Sequence, residues 1–109
     1  MAWFMIQGSY TPDAWAAQIR NPTDRLAAVG QMMAPLGVTF EHHWHSFGDH
    51  DFVIIAQGPG NLEASAAVLA AYSGGALTSI RTTSLLTTDE AMGALRQAAG
   101  VQYHPPSAG

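Results

Sequence analysis

Five consecutive apolar residues, Phe52-Val53-Ile54-Ile55-Ala56, stand between Asp51 and the breaker Gly58-Pro59-Gly60. A run this short and this rich in β-branched and aromatic residues reads as a strand. Because it does not alternate, both of its faces need cover from water. Ala2–Gly8 (AWFMIQG) has the same character. The chain must therefore place two strands in a sheet that has something packed on each side.

The remaining elements follow from local chemistry. Thr11 reads as an N-cap with Pro12 at the first helical position, opening a helix over Asp13–Arg20 that Asn21-Pro22-Thr23 breaks. A second helix is predicted from about Thr23 to Leu36, with Leu26, Val29, Met33 and Leu36 recurring near the 3.6 period, Pro35 weakening the last turn and Gly37 as the stop. Val38–Ser46 and Asp51–Gln57 read as a hairpin through Phe47-Gly48-Asp49-His50, with Gly48 supplying the turn conformation. Simple alternation along its first arm puts Thr39, Glu41, His43 and His45 on one face, and Val38, Phe40, His42 and Trp44 on the other. Asn61 is positioned to cap a helix over Leu62–Tyr72 that Ser73-Gly74-Gly75 stops. Leu77–Thr87 reads as a fourth strand paired with the first. Thr87 and Glu90 have the spacing of a capping box for a last helix reaching about Ala99.

This order predicts an α+β domain of the ferredoxin-like βαββαβ kind. Its four-stranded antiparallel sheet carries helices on one face, and an extra C-terminal helix follows. The uncovered apolar face is most simply met by a second copy, which gives a dimeric α/β-barrel arrangement about a two-fold axis. Residues 1–100 form the domain in this reading, and 101–109, with Pro105-Pro106, a flexible tail.

Composition excludes several function classes. Without cysteine there is no disulfide scaffold, thiol chemistry or cysteine-bound metal cluster, and nothing demands an oxidising compartment, so a cytoplasmic location is expected. Four Arg, no Lys and a net charge of −4 leave too few cations to neutralise a run of phosphates. Nucleic acid and anionic membranes are therefore not expected partners. No stretch approaches the roughly 18 apolar residues of a bilayer span. No phosphate-cradling glycine loop or nucleophile elbow occurs.

Gly8-x-Tyr10-Thr11-Pro12 in the first strand, Gly48-Asp49-His50-Asp51 leading into Phe52-Val53-Ile54-Ile55, and Ile80-Arg81-Thr82-Thr83 in the fourth strand are motifs with a known setting. Over nearly its whole length the chain resembles the small bacterial and archaeal GYD domain proteins, with His50 standing where the naming motif has Tyr. The resemblance implies a ferredoxin-like α/β fold of the kind that forms dimeric barrels. It implies no established activity.

Four of the five histidines gather in and beside Glu41-His42-His43-Trp44-His45, with His50 beyond the turn and Asp49 and Asp51 next to it. Imidazole and carboxylate together suit divalent transition metals, and His43 and His45, two apart on a strand, project from one face about 6.5–7 Å apart at Cα. His43, His45 and His50 are thus candidate metal ligands. The alternative is that they form the polar lining of an interface, hydrogen-bonded to carbonyls and carboxylates. Arg81 lies among Ser79 and Thr83 and suits a carboxylate or phosphate, unless it is tied to Asp51 or Glu41.

The leading expectation is a homodimer that binds a small anionic or aromatic ligand through Tyr10, His43, His45, Asp51 and Arg81, with no organic cofactor. The alternatives are a cofactor-independent enzyme using the hairpin histidines as acid and base and a divalent-metal-binding protein. Sequence alone does not decide whether the chain is an enzyme.

Overall fold

The computed structural model describes residues 1–107. Its elements are β1 (Ala2–Tyr10), α1 (Pro12–Arg20), α2 (Arg25–Met33) with a 3-10 turn over Ala34–Leu36, β2 (Thr39–His45), β3 (Phe52–Gly58), α3 (Asn61–Ser73), β4 (Leu77–Leu85) and α4 (Thr88–Ala98). The strands form one antiparallel sheet in the order β2-β3-β1-β4, so the two apolar strands are central. The expected α+β fold with a four-stranded antiparallel sheet is the one observed. No helix among the described residues is long and apolar enough to cross a membrane. Ala108 and Gly109, the end of the expected tail, lie outside the described residues.

Alternation along β1 and β3 sorts the side chains cleanly. Phe4, Ile6 and Tyr10 from β1 and Phe52, Ile54 and Ala56 from β3 are buried beneath the helices. They pack with Leu26 and Met33 of α2, Ala64 and Ala67 of α3, and Val38. Burying each large side chain of this set contributes about 1.5–3 kcal/mol. Gly8 sits on the same face, and a Cβ built there would lie 2.5 Å from Cζ of Phe52. The glycine leaves the space that the ring fills.

The opposite face carries Trp3, Met5 and Gln7 of β1 and Val53, Ile55 and Gln57 of β3, none of them fully buried, with Trp44 of β2 55% exposed beside them. No helix among the described residues covers it.

Caps fix several helix ends. Thr11 accepts from the Ala14 amide at 3.1 Å, with Pro12 in the first turn. Thr87 and Glu90 form the full capping box: Thr87 Oγ1 accepts from the Glu90 amide at 3.1 Å, and Glu90 Oε1 accepts from the Thr87 amide at 3.0 Å. Gly37 takes φ 74°, a left-handed stop after the 3-10 turn. None of the residues of α4 is buried. The molecule measures 59 × 36 × 22 Å.

Four local expectations are corrected. The second helix is capped by Asp24, whose carboxylate accepts from the Ala27 amide, so it starts at Arg25 rather than Thr23. It gives way to a 3-10 turn where Pro35 enters. Asn61 is the first residue of α3 and not its cap; Gly60, in extended conformation, holds that position without a side chain. Gly48 does not adopt a positive φ. The hairpin is closed by Ser46 instead, whose amide donates to the Asp51 carbonyl at 2.9 Å and whose hydroxyl donates to the His50 carbonyl at 2.7 Å.

The fourth correction matters most. Phe40 pairs with Ala56 and His42 with Ile55, so Glu41 is an unpaired extra residue, a bulge. From that point simple alternation fails. Residues directly opposite in an antiparallel pair share a face. His43 opposite Ile54 and His45 opposite Phe52 therefore join Phe40 on the helix side, while His42 and Trp44 lie on the open side. The His42 and Trp44 rings stack there, with centroids 5.7 Å apart.

Candidate ligand-binding site

The end of β1, the start of β3 and the first turn of α1 meet at Asp51. Its amide donates to the Gly8 carbonyl at 2.8 Å. Its Oδ2 accepts from the Tyr10 amide at 2.9 Å and from Trp15 Nε1 at 3.1 Å. The Trp15 ring meets the Tyr10 ring edge-on at 5.2 Å, and Phe52 lies against Tyr10 at 5.3 Å. Asp51 thus satisfies two donors and sets the position of three rings, which is an architectural role.

Tyr10, held in this way, forms one wall of a cavity between the sheet and helices α2 and α3. The cavity measures about 310 Å³, at the lower end of the range for small-molecule sites. Its walls are almost wholly apolar and include Ile6, Leu26, Val29, Met33, Phe40 and Ile80. Gly30 keeps α2 close to the Phe40 ring, since a Cβ there would stand 3.1 Å from Cδ2. Tyr10 and Arg25 are the side chains that bring polar groups to the lining. Burial raises the Tyr10 phenol above its usual range, the nearby Arg25 guanidinium pulls it back in part, and Asp51 adds a smaller upward push. The phenol is therefore neutral at physiological pH and able to donate a hydrogen bond.

Of the residues singled out in the sequence, the fold brings Tyr10 and Asp51 together. His43 and His45 lie on the helix face of β2, an edge strand, and neither lines the cavity. His50 precedes Asp51 with its Nδ1 buried and without a hydrogen-bond partner. Among the described residues no three His, Asp or Glu side chains gather to hold a metal ion. Arg81 pairs with Gln7 and is exposed on the open face, so the thickness of the sheet separates it from Tyr10. Its suggested tie to Asp51 does not form, because Asp51 is turned to Tyr10 and Trp15 on the other side.

Sequence reasoning passed over Arg25 and Trp15. Arg25 had one signal: a cation in the first helical turn runs against the helix dipole, which favours acidic residues there.

The profile of the GYD domain matches residues 4–95, most of the chain. The chain belongs to the GYD domain family. Three of the residues in the motifs of this GYD domain, Gly8 and Tyr10 of the first strand and Asp51 after the hairpin, meet beside the cavity. Its fold is similar to the crystal structure of MtbAldR (Rv2779c), with a TM-score of 0.57 at 16% identity over 79% of this chain. The GYD domain spans only about half of that protein, 52% of its chain. It is also similar to At3g17210 from Arabidopsis thaliana, with a TM-score of 0.50 at 9% identity over 81% of this chain and 96% of that one. At these identities the likeness concerns the fold alone. No curated protein matches the sequence.

Proposed function

We propose that this GYD domain is a homodimeric small-ligand-binding protein whose ligand occupies the cavity between the sheet and α2 and α3. The observation that carries the reading is the cavity itself: about 310 Å³ of space walled by apolar side chains, with Tyr10 and Arg25 as its polar points. Sites of this make-up hold a ligand by burying its apolar body and orient it through a few polar groups. The hairpin histidines stand outside the lining, which favours binding over acid–base chemistry by those residues.

Self-association is supported by the open face, where Trp3, Met5, Val53 and Ile55 remain partly exposed next to Trp44, and by α4, which exposes Met92 and Leu95. An isolated helix of 11 residues is marginal in water, so α4 gains from packing on a neighbour. A dimer that closes the two open faces gives the barrel arrangement, with α4 as its appended helix.

The test of binding is calorimetric titration with a neutral apolar probe, 1-octanol, on the wild type and on Ala71→Phe, which fills the cavity. Saturable uptake lost in a folded Ala71→Phe variant supports the reading; no uptake by the wild type of either 1-octanol or an amphiphile of equal chain length with a charged head group removes it. A variant with His43, His45 and His50 all replaced by alanine keeps its uptake within about twofold. Light scattering on Ile55→Glu tests the open face, with a monomer as the expected result.

A further inference from the structure

We propose that the cavity selects a small apolar monoanion, of the class of medium-chain or aromatic carboxylic acids. Its carboxylate is held by the Arg25 guanidinium and the Tyr10 hydroxyl, and its apolar body lies against Leu26, Val29 and Phe40. The inference rests on the binding reading above and adds the chemical class of the ligand.

Four observations lead to it. Arg25 lines an otherwise apolar cavity and is half-buried, so a ligand that seals the cavity takes water away from its charge. A guanidinium losing water without a partner is costly, whereas a carboxylate meets its planar donors with two parallel hydrogen bonds. The carboxylates nearest to it in the sequence and at the Tyr10 end are already engaged. Asp24 caps α2 through the Ala27 amide, and Asp51 accepts from the Tyr10 amide and the Trp15 indole. Arg25 and Tyr10 both line this cavity, and the Arg25 charge offsets part of the effect of burial on the Tyr10 phenol. That phenol is neutral and offers a proton to an anion.

The overall charge of −4 does not oppose this. At physiological ionic strength exposed charges beyond about 8 Å are largely screened, and the contact is decided locally. Arg81, the cation that sequence alone suggested for an anion, faces away from the cavity on the open side of the sheet.

The experiment compares octanoate, 1-octanol and octylamine, probes of equal chain length and different head group, by calorimetry at neutral pH on the wild type, Arg25→Gln and Tyr10→Phe. The expected result is that octanoate binds at least tenfold more tightly than 1-octanol and that octylamine is weakest. Arg25→Gln should cost octanoate about 10- to 100-fold and leave 1-octanol unchanged, with a smaller loss for Tyr10→Phe. Both variants are checked for unchanged melting temperature, and Arg25→Lys, which keeps the charge and loses the fork, should recover part of the octanoate affinity. Equal binding of octanoate and 1-octanol by the wild type overturns the monoanion proposal while keeping the cavity as a binding site. Failure of every probe to bind overturns both.

Discussion

The indole Nε1 of Trp15 donates to Oδ2 of Asp51 at 3.1 Å, joining a helix to a strand 36 residues later in the chain. The same oxygen accepts from the Tyr10 amide, so one carboxylate oxygen serves two donors. Replacing Asp51 by alanine leaves both unsatisfied in a partly buried setting. The expected cost is about 2–4 kcal/mol, read from urea unfolding. Asp51→Asn keeps one acceptor and should cost less than half of that. Equal stability of all three proteins would show that the contact carries no weight.

Gly8 gives a steric prediction of a different kind. Its backbone is ordinary β-strand, so the demand for glycine comes from the Phe52 ring, 2.5 Å from where a Cβ would stand. Gly8→Ala is expected to destabilise by about 1–3 kcal/mol through overpacking. In the double variant with Phe52→Leu the two penalties should fall short of their sum, because removing the ring removes the clash. Strict additivity in the thermal unfolding of the four proteins would argue against it.

Tyr10 links stability to alkaline pH. Burial holds its phenol above the usual range in the folded chain, so the folded state keeps a proton that the unfolded state releases near pH 10. The contribution to stability is fully present below the ordinary tyrosine value and is lost as pH rises through the folded value. Tyr10→Phe should flatten the fall in melting temperature above pH 10. An unchanged alkaline profile in that variant would assign the fall to another group.

At acid pH the sign reverses at α4. Hydrogen bonds from the Thr87 amide and with the Thr87 side chain hold the Glu90 carboxyl below its usual range. Its share of helix stability is present above the ordinary glutamate value and is lost as pH falls through the lowered one. Amide exchange in α4 should quicken over that interval. Thr87→Ala should raise the Glu90 titration, followed by side-chain NMR, and speed exchange about fivefold at neutral pH. Exchange that is independent of pH and of Thr87 would detach the capping box from the order of the helix.

What could be read in advance divides by the range of the interaction. The Thr87 and Glu90 box, the Thr11 cap and the stop at Gly37 were legible because each is made within a few residues. The two central strands were legible because their apolar runs lack alternation. Arg25 was not, because its meaning comes from the cavity it lines together with Tyr10, which only the packing of a helix on the sheet creates. Ser79 and Thr83 do share the face of Arg81, but its grouping with Tyr10 and Asp51 failed for a related reason: that face depends on pairing with Gln7, and register across a sheet is not written in either strand alone.

The bulge at Glu41 assigns the two sides of β2, and with it the kinds of sequence change that this strand tolerates. Deleting Glu41 would leave Phe40 opposite Ala56 and His42 opposite Ile55, a regular ladder with every side chain on its present side. Gaining one paired residue after His42 would send His43 and His45 through to the open side unless the loop absorbed the shift. A lineage of such chains can lose a codon here in silence, yet one codon gained nearby redraws two surfaces at once. Length variation among relatives at this point would therefore record which of the two sides selection has been guarding.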